Sequence, residues 1–199
     1  MHVRVVERPI PFMSLERVKQ HLNIEADDSD FDDLVKGYVA SAVAWLDGPE
    51  GWLGQCLGEQ VLEMAGDAFP SRCLPYGPVL AVESIAYMAT DGTEVTMPEG
   101  DYRLLASGQI YAETWPSLGS GPEAVRIRWR AGYADQIVPP ADEGGEPSRI
   151  STVPEPVQLA ILLLVGQWFK TRENVVTGTI ATAVPFAVDA LLSPYRVWR

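Results

Sequence analysis

The sequence predicts an α+β protein, a small bundle of three to four helices with an antiparallel β insertion between the second helix and a long apolar helix. Residues 13–55 and 153–199 show helical spacing of apolar side chains. Residues 56–138 instead alternate between apolar and polar, with Gly- and Pro-containing turns. We therefore predict a helical bundle over the first two ranges, a β-rich insertion over the third, and an acidic Pro/Gly loop over 139–152.

The organising element is the predicted helix over 154–174, the longest apolar run in the chain. Pro156 suits a first helical turn, and Glu155 and Lys170 complement the helix dipole at its two ends. A helix that is apolar nearly all round has to be buried on nearly all sides, which requires a bundle or a subunit interface. The following side chains are candidates for that interface: Leu159, Leu163 and Trp168.

Length, charge and cysteine content restrict the classes of function that the sequence allows. A chain of 199 residues with a net charge of −12 is long enough for a real core and too acidic for non-specific binding to DNA, RNA or anionic membranes. Its two cysteines, Cys56 and Cys73, match no disulfide framework or zinc spacing and are interpreted as buried free thiols. Without a signal-peptide pattern or a run long enough to span a membrane, we expect a soluble, intracellularly made protein.

Two helices are predicted near the N-terminus, over 14–22 and 30–46. Ser14 is the expected N-cap of the first helix, and Ser29 or Asp28, with Asp32 in a capping box, that of the second. The acidic stretch 25–33 between them does not fit a calcium loop, because the required glycine and the twelfth-position glutamate are missing. Solvated acids at a helix N-terminus are the alternative interpretation.

The middle of the chain predicts strands. Candidate strands are 60–65 and two hairpins, whose turns contain Asp91-Gly92 and Ser107-Gly108. The clearest strand is 124–130, where apolar side chains alternate with Arg126, Arg128 and Arg130. This arginine row is interpreted either as a solvated sheet face or as a contact surface.

The C-terminal part ends in small elements. The run 175–184 is either a strand or a segment that orders on a partner. A short helix is predicted over 186–192, followed by the tail SPYRVWR. The tail's Tyr, Arg and Trp are typical of interface anchors, and packing of the tail on its own bundle is the alternative.

The sequence contains little that points to catalysis. His2 and His21 are the only histidines, so a histidine-based nucleophilic site would have to use one of them. There is no phosphate-binding GK[ST] motif and no metal-binding His or Cys pair. We expect no enzymatic activity, no cofactor and no metal.

The order of several stretches resembles one known family. These stretches are SLERVKQHL, FDDLVKGYVASAVAWL, LPYGPVLAVESIAYMATDG, Trp115-Pro116 with VRIRWRAGY, VPEPVQLAILLLVGQWFKTREN and VPFAVDALLSPYRVWR. In this order they resemble the head–tail connector (adaptor) proteins of long-tailed bacteriophages and gene-transfer particles, in a longer variant with a β insertion. The resemblance covers nearly the whole chain from Met13 onward, although the loop 139–152 has no place in the family pattern.

This resemblance implies a structural virion protein. Such adaptors form a ring of about a dozen copies under the portal. The ring extends the DNA channel, which DNA passes without specific binding, and docks head-completion or tail proteins. The implied location is the head–tail interface of the virion, after assembly in the bacterial cytoplasm. Another head-closure or tail-completion protein of the same particle, and a host interaction module, are alternatives.

Two contacts are predicted on this basis. In the first, the arginine row pairs with acids of a neighbouring copy, and the residues concerned are Arg126, Arg128, Arg130, Asp28, Asp30 and Asp32. In the second, the tail docks on the portal, and its residues are Pro194, Tyr195, Arg196 and Trp198.

Overall fold

The structure is a computed structural model that describes residues 2–140, 148–171 and 186–198. These residues contain four α-helices and an antiparallel sheet, so the predicted α+β fold is confirmed. The helices are α1 (Leu15–Leu22), α2 (Asp32–Leu46), α3 (Glu155–Lys170) and α4 (Phe186–Leu192). The strands are β1 (His2–Glu7), β2 (Gln60–Gly66), β3 (Val79–Met88), β4 (Glu94–Thr96), β5 (Arg103–Leu104), β6 (Ile110–Tyr111), β7 (Val125–Ala131), β8 (Gln136–Val138) and β9 (Ser148–Ile150).

The chain forms two compact units. The sheet unit contains Met1–Ile10 and Gln55–Ala134, and the helical unit contains Pro11–Gly54 and Asp135–Arg199. The N-terminal arm is thus part of the sheet unit, because β1 pairs with β2. Its partner lies far along the chain, so local sequence could not show this pairing. The sheet unit ends at Ala134, and β8 and β9 belong to the helical unit.

The sheet unit is built on a five-stranded antiparallel sheet with the strand order β1-β2-β7-β3-β4. Strand β7 lies at its centre and alternates strictly between buried and exposed side chains, as predicted. On the buried face, Ile127 and Trp129 pack with Leu62 of β2 and Ile85 of β3 in a continuous apolar core. The other face carries the three arginines.

The two predicted hairpins are present. Strands β3 and β4 are joined through Asp91-Gly92, where Gly92 has φ of +84° and the Asp91 carboxylate accepts hydrogen bonds from the Thr93 amide and hydroxyl. Those bonds, the hydroxyl's first, lower the pKa of Asp91. The shorter hairpin, β5 with β6, contains Gly108 at φ of +81°.

In the helical unit, α1 begins as predicted and α2 does not. Ser14 caps α1 by accepting a hydrogen bond from the Arg17 amide. The N-cap of α2 is Phe31, which makes no side-chain cap bond, so the capping predicted from Ser29, Asp28 and Asp32 is wrong. The carboxylate of Asp28 instead accepts from the Asp30 amide, and that of Asp32 pairs with a lysine of α1.

Helix α3 contributes more buried apolar side chains to the helical unit than any other described helix. Its side chains Val157, Ala160, Ile161 and Val165 are fully buried. The rings of Phe31 and Phe169 meet edge-on with centroids 5.5 Å apart. The helix ends at Lys170, four residues before the predicted end.

The remaining predictions concern the last helix, the segments 139–152 and 175–184, and the two cysteines. The last helix, Phe186–Leu192, has the predicted bounds. The run 175–184 and half of the acidic loop 139–152, its residues 141–147, lie outside the described residues. Residues 148–150 of that predicted loop form strand β9. Both cysteines are free, but only Cys56 is buried; Cys73 is exposed, so the prediction of burial is wrong for that thiol.

Candidate assembly surfaces

The arginine row lies on a face of the sheet that already contains its counter-charges. We call this the charged sheet face, and it consists of Arg4, Arg126, Arg128 and Arg130 with Glu59, Glu63, Glu83 and Glu94. At its centre Glu63 of β2 lies opposite Arg4 of β1 and Arg128 of β7 in the strand register. Arg4 Nε donates to Glu63 Oε1 at 2.9 Å, and Arg128 Nε donates to Glu63 Oε2 at 2.5 Å.

Glu63 is the most enclosed charge of this face, with a side chain only 4% exposed. Burial raises the pKa of Glu63, but hydrogen bonds from Arg128 and Arg4 outweigh burial and hold the pKa below its usual value. Two arginines therefore keep a buried carboxylate ionised. The same pairing raises the pKa of Arg128.

The other two arginines of the row are also paired within the sheet unit. Arg126 lies 3.5 Å from a carboxylate oxygen of Glu94. Arg130 donates to Glu83 at 3.0 Å and lies 3.3 Å from Glu59. Each of these arginines remains nearly half exposed. Their pairing with acids of a neighbouring copy stays a prediction, and it requires them to share or exchange their present partners.

The acidic stretch 25–33 is folded around Lys19 of α1. The Lys19 ammonium is buried and donates to the carbonyl oxygens of Ala26 at 3.2 Å and Asp28 at 2.8 Å, and it lies 2.6 Å from Asp32 Oδ1. The cation that this acidic stretch contacts is therefore the ammonium group of Lys19. Of the three predicted interface acids, Asp32 pairs with Lys19, Asp28 is half-buried and Asp30 is exposed.

The predicted interface residues of α3 do not all lie in one environment. Leu159 is 41% exposed and Leu163 is half-buried one turn later, on the same side of the helix. Trp168 instead packs edge-on against Tyr38 of α2, with ring centroids 6.1 Å apart. Leu159 and Leu163 therefore face outward, whereas Trp168 takes part in the contact between α2 and α3.

The C-terminal tail is held against the loop after α2 by its backbone. The Val197 amide donates to the Leu53 carbonyl at 2.8 Å. Gly54 adopts φ of +67°, and a Cβ there would lie 2.6 Å from the Val197 carbonyl oxygen, so a side chain would displace the tail. Pro194 and Tyr195 lie in a 3₁₀ turn that leads α4 into this segment.

Two side chains of the tail form a stacked cluster with Trp52. The Arg196 guanidinium lies 4.1 Å from the Trp52 ring centroid and 3.7 Å from that of Trp198. Trp52 also stacks on Trp45. Trp198 nevertheless remains 76% exposed. The tail thus packs on its own helical unit, as the alternative interpretation predicted, and leaves most of the Trp198 ring exposed.

Sequence reasoning missed several residues that organise these surfaces. Glu63 could have been noticed as an acid between apolar residues in a predicted strand, and Trp52 and Gly54 as an aromatic and a glycine directly after a helix. No local signal indicates that Lys19 is buried, because its partners are mainly backbone carbonyls brought close by folding.

Part of the sequence matches a known protein family. Residues 12–94 match the family of phage gp6-like head-tail connector proteins. The predicted resemblance to head–tail connectors is confirmed. A structural connector role is the function that this family supports.

Solved structures share the fold over the whole chain. A chain in the neck of an empty gene transfer agent (GTA) particle, computed with C6 symmetry, has a TM-score of 0.71 at 22% identity, covering 100% of this chain and 97% of that one. A chain in the virion of a native GTA particle has the same TM-score and coverage at 23% identity. A chain in the neck of a native GTA particle, computed with C12 symmetry, has a TM-score of 0.62 at 20% identity with equal coverage. No curated protein matches.

Two further observations concern the described ranges alone. Within 2–140, 148–171 and 186–198, no helix has the length and apolar character needed to cross a membrane. The same ranges hold no group of three or more His, Cys, Asp or Glu side chains arranged to bind a metal ion.

Proposed function

We propose that this head–tail connector assembles as a ring of about a dozen copies beneath the portal of a phage or gene-transfer particle. There it extends the DNA channel and docks a head-closure or tail-completion protein. The observation that carries the proposal is the shared fold, over the full chain, with chains of GTA necks that were computed with six-fold and twelve-fold symmetry. The connector is assembled in the host cytoplasm and remains in the virion at the head–tail interface.

The charge of the chain supports a channel role. Each copy carries a net charge of −12, and a ring multiplies that charge around its axis. DNA binds proteins mainly through phosphate contacts with Lys and Arg, so acidic walls give passing DNA little to bind. Four arginines that could contact phosphate, those of the charged sheet face, are already paired with glutamates.

The C-terminal tail supports a docking role. Pro194 and Tyr195 fix the direction of the tail, and Arg196 holds the ring of Trp198 in place. An exposed tryptophan that is already ordered loses little conformational freedom on binding. We assign to the tail the contact with the portal, where Trp198 enters an apolar pocket.

A structural role also agrees with the surroundings of the histidines. The His21 ring lies near Gly166 of α3, and a Cβ at that glycine would be 3.3 Å from His21 Nε2. His21 therefore serves helix packing, and His2 lies in an exposed strand. We propose that the connector acts without catalysis.

Negative-stain microscopy of the purified protein mixed with the portal protein of the same particle tests this function. We expect a ring of density on the portal with the intact chain and none after deletion of 194–199. The matched control is Tyr111→Ala, which removes an exposed aromatic from the sheet unit. Absence of a ring with the intact chain would refute the connector ring, and a normal ring with the deletion would refute docking through the tail.

A further inference from the structure

The ribbon formed by β8 and β9 has one face without charge. In its antiparallel register Gln136 lies opposite Ile150, and Val138 lies opposite Ser148. Because side chains alternate across a strand, these four share one face, which we call the uncharged ribbon face. Its two aliphatic side chains are diagonal neighbours and form a small apolar centre between two polar ones.

The opposite face of the ribbon differs in chemistry. It carries Ile137 beside Arg149, whose guanidinium donates to Asp135 at 2.6 Å. This face combines an ion pair with one aliphatic side chain, as solvated surfaces commonly do. The two faces belong to the same two strands but differ in charge, so a variant on one face can serve as the control for a variant on the other.

The uncharged ribbon face lacks a partner within the described part of the chain. Ile150 is 52% exposed and Val138 is 36% exposed, and Ile137 on the opposite face is 61% exposed. The absence of charge, rather than the degree of exposure, therefore distinguishes the uncharged ribbon face. Among the described strands, β8 and β9 pair only with each other. A two-stranded ribbon is marginally stable in water unless a third strand or a helix covers it, so this face requires a covering surface.

Helix α3 carries a second uncharged surface in the same unit. Pro156, Leu159, Leu163 and Gln167 follow one another at intervals of three or four residues and thus lie along one side of the helix. We call them the α3 stripe. All four are at least partly exposed, and the charged residues Glu155 and Lys170 lie only at the ends of the helix.

Charge repulsion restricts where two copies can touch. The helical unit has twice as many acidic as basic residues, and each whole copy carries a net charge of −12. Contact between copies is therefore least costly where acids are absent, and interface cores are depleted of charge in general. The uncharged ribbon face and the α3 stripe meet this condition, and they are two different surfaces. Pairing of two different surfaces is heterologous and generates a ring when the rotation between copies closes, whereas pairing of one surface with itself generates a dimer.

We propose that the uncharged ribbon face of one copy packs on the α3 stripe of the next copy. This contact rests on the proposed ring and specifies how neighbouring subunits join. Val138 and Ile150 lie against Leu159 and Leu163 of the adjacent subunit, and a helix supplies the cover that the two-stranded ribbon lacks.

A charge introduced on one face of the ribbon or on the other tests which of the two faces makes the contact. Ile150→Asp and Val138→Asp put a carboxylate into the contact, where it would be desolvated without a partner. We expect the fraction of portals that carry a ring to fall about tenfold or more for these variants, since about 1.4 kcal/mol per contact already corresponds to tenfold. The matched control is Ile137→Asp on the opposite face, which should assemble normally. Equal loss with all three variants, or with none, would overturn the proposal.

Cross-linking tests the contact without relying on a destabilising charge. In a Cys73→Ser background, copies with Ile150→Cys are mixed with copies carrying Leu159→Cys and assembled on the portal protein under mild oxidation. We expect disulfide-linked heterodimers in the mixture and none in either variant alone.

The outcomes distinguish this contact from the ring itself. Rings without heterodimers overturn the contact and leave the ring standing. Homodimers linked through Ile150→Cys overturn it too, because they indicate a two-fold ribbon contact. Absence of rings with the intact chain overturns both proposals.

Discussion

The charged sheet face and the α3 stripe are both exposed, but within the described part of the chain only the first shows ion pairs with side chains of its own unit. On the sheet, Arg4, Arg126, Arg128 and Arg130 each contact a glutamate of the same unit. On α3, Leu159 is exposed and Leu163 is half-buried, whereas eight of the sixteen residues of the helix are buried. The comparison shows that a concentration of charge does not by itself mark a contact surface. Adjacent exposed apolar side chains are the stronger sign, because contiguous apolar patches on a protein surface mark interaction sites.

The largest effect is expected from removing the buried cation of the helical unit. Lys19→Ala leaves Asp32 and two backbone carbonyls without their donor. Breaking a buried ion pair costs about 3–5 kcal/mol, and we expect about 3 kcal/mol here because Asp32 is partly exposed. The measurement is urea unfolding followed by circular dichroism. The control, Lys36→Ala, removes an exposed pair with Asp33 and should cost less than about 0.5 kcal/mol; similar losses would show that Lys19 is not structurally enclosed.

Two glutamates that pair with arginine test the role of burial directly. The Glu63 side chain is 4% exposed, whereas that of Glu155, which Arg17 binds, is 72% exposed. We expect Glu63→Gln to lower the free energy of unfolding by about 1.5–3 kcal/mol at pH 7, since hydrogen bonds to charged groups contribute that much. Glu155→Gln should cost less than about 0.5 kcal/mol. The order is measured by thermal or urea unfolding, and a reversed order would contradict the structure.

The same pair predicts a pH dependence. The pKa of Glu63 is held below its unfolded value of 4.5, so its ionised form stabilises the fold above that pH. The contribution is lost as the pH falls below about 4.5 and through the lower folded pKa. Hydrogen bonds from Arg17 likewise lower the pKa of Glu155, but in an exposed position. Unfolding free energies between about pH 3 and pH 7 should therefore have a shallower slope for Glu63→Gln than for Glu155→Gln, and parallel curves would argue against this origin.

A smaller effect is expected where the tail meets the helical unit. Gly54→Ala introduces both left-handed strain and a clash with Val197, whereas Gly92→Ala introduces strain at a position with open space around it. Strain alone costs about 1 kcal/mol in both variants. Only Gly54→Ala should displace the tail, which tryptophan fluorescence would detect because Trp52 and Trp198 flank Arg196. An unchanged spectrum in Gly54→Ala, or equal changes in both, would contradict the docked tail.

The smallest effect is expected from charge reversal in the acidic stretch. Asp30→Lys alters an exposed residue, so stability should change by less than about 0.5 kcal/mol. Because the arginine row already has partners, ring formation on the portal should change less than twofold at low salt. A large loss that is restored by adding Arg128→Asp would instead establish the predicted pairing between copies.

Much of the fold was predictable because its signals are local. The alternation of β7, the Asp91-Gly92 turn, the Ser14 cap and the apolar periodicity of α3 each follow from neighbouring residues. The role of β1 was not predictable, since six residues cannot specify a partner strand that follows two helices. The capping of α2 failed for a related reason: the predicted carboxylates had stronger partners elsewhere.

The candidate surfaces likewise include some features with a local sequence signal and others that depend on distant residues. Sequence alone named the tail and Leu159 as candidates for an interface, because an apolar excess is visible in composition, but it did not indicate which side of α3 faces outward. It could not show that Glu63 satisfies two arginines or that Lys19 satisfies the acidic loop.

Sequence by itself determined the helices and the central strands, since those choices depend on spacing along the chain, whereas β9 lies in a segment predicted as a loop. Only the tertiary structure decided which charges are paired and which apolar side chains remain uncovered. Electrostatic and packing energies depend on distances between residues far apart in sequence, and these distances exist only after folding.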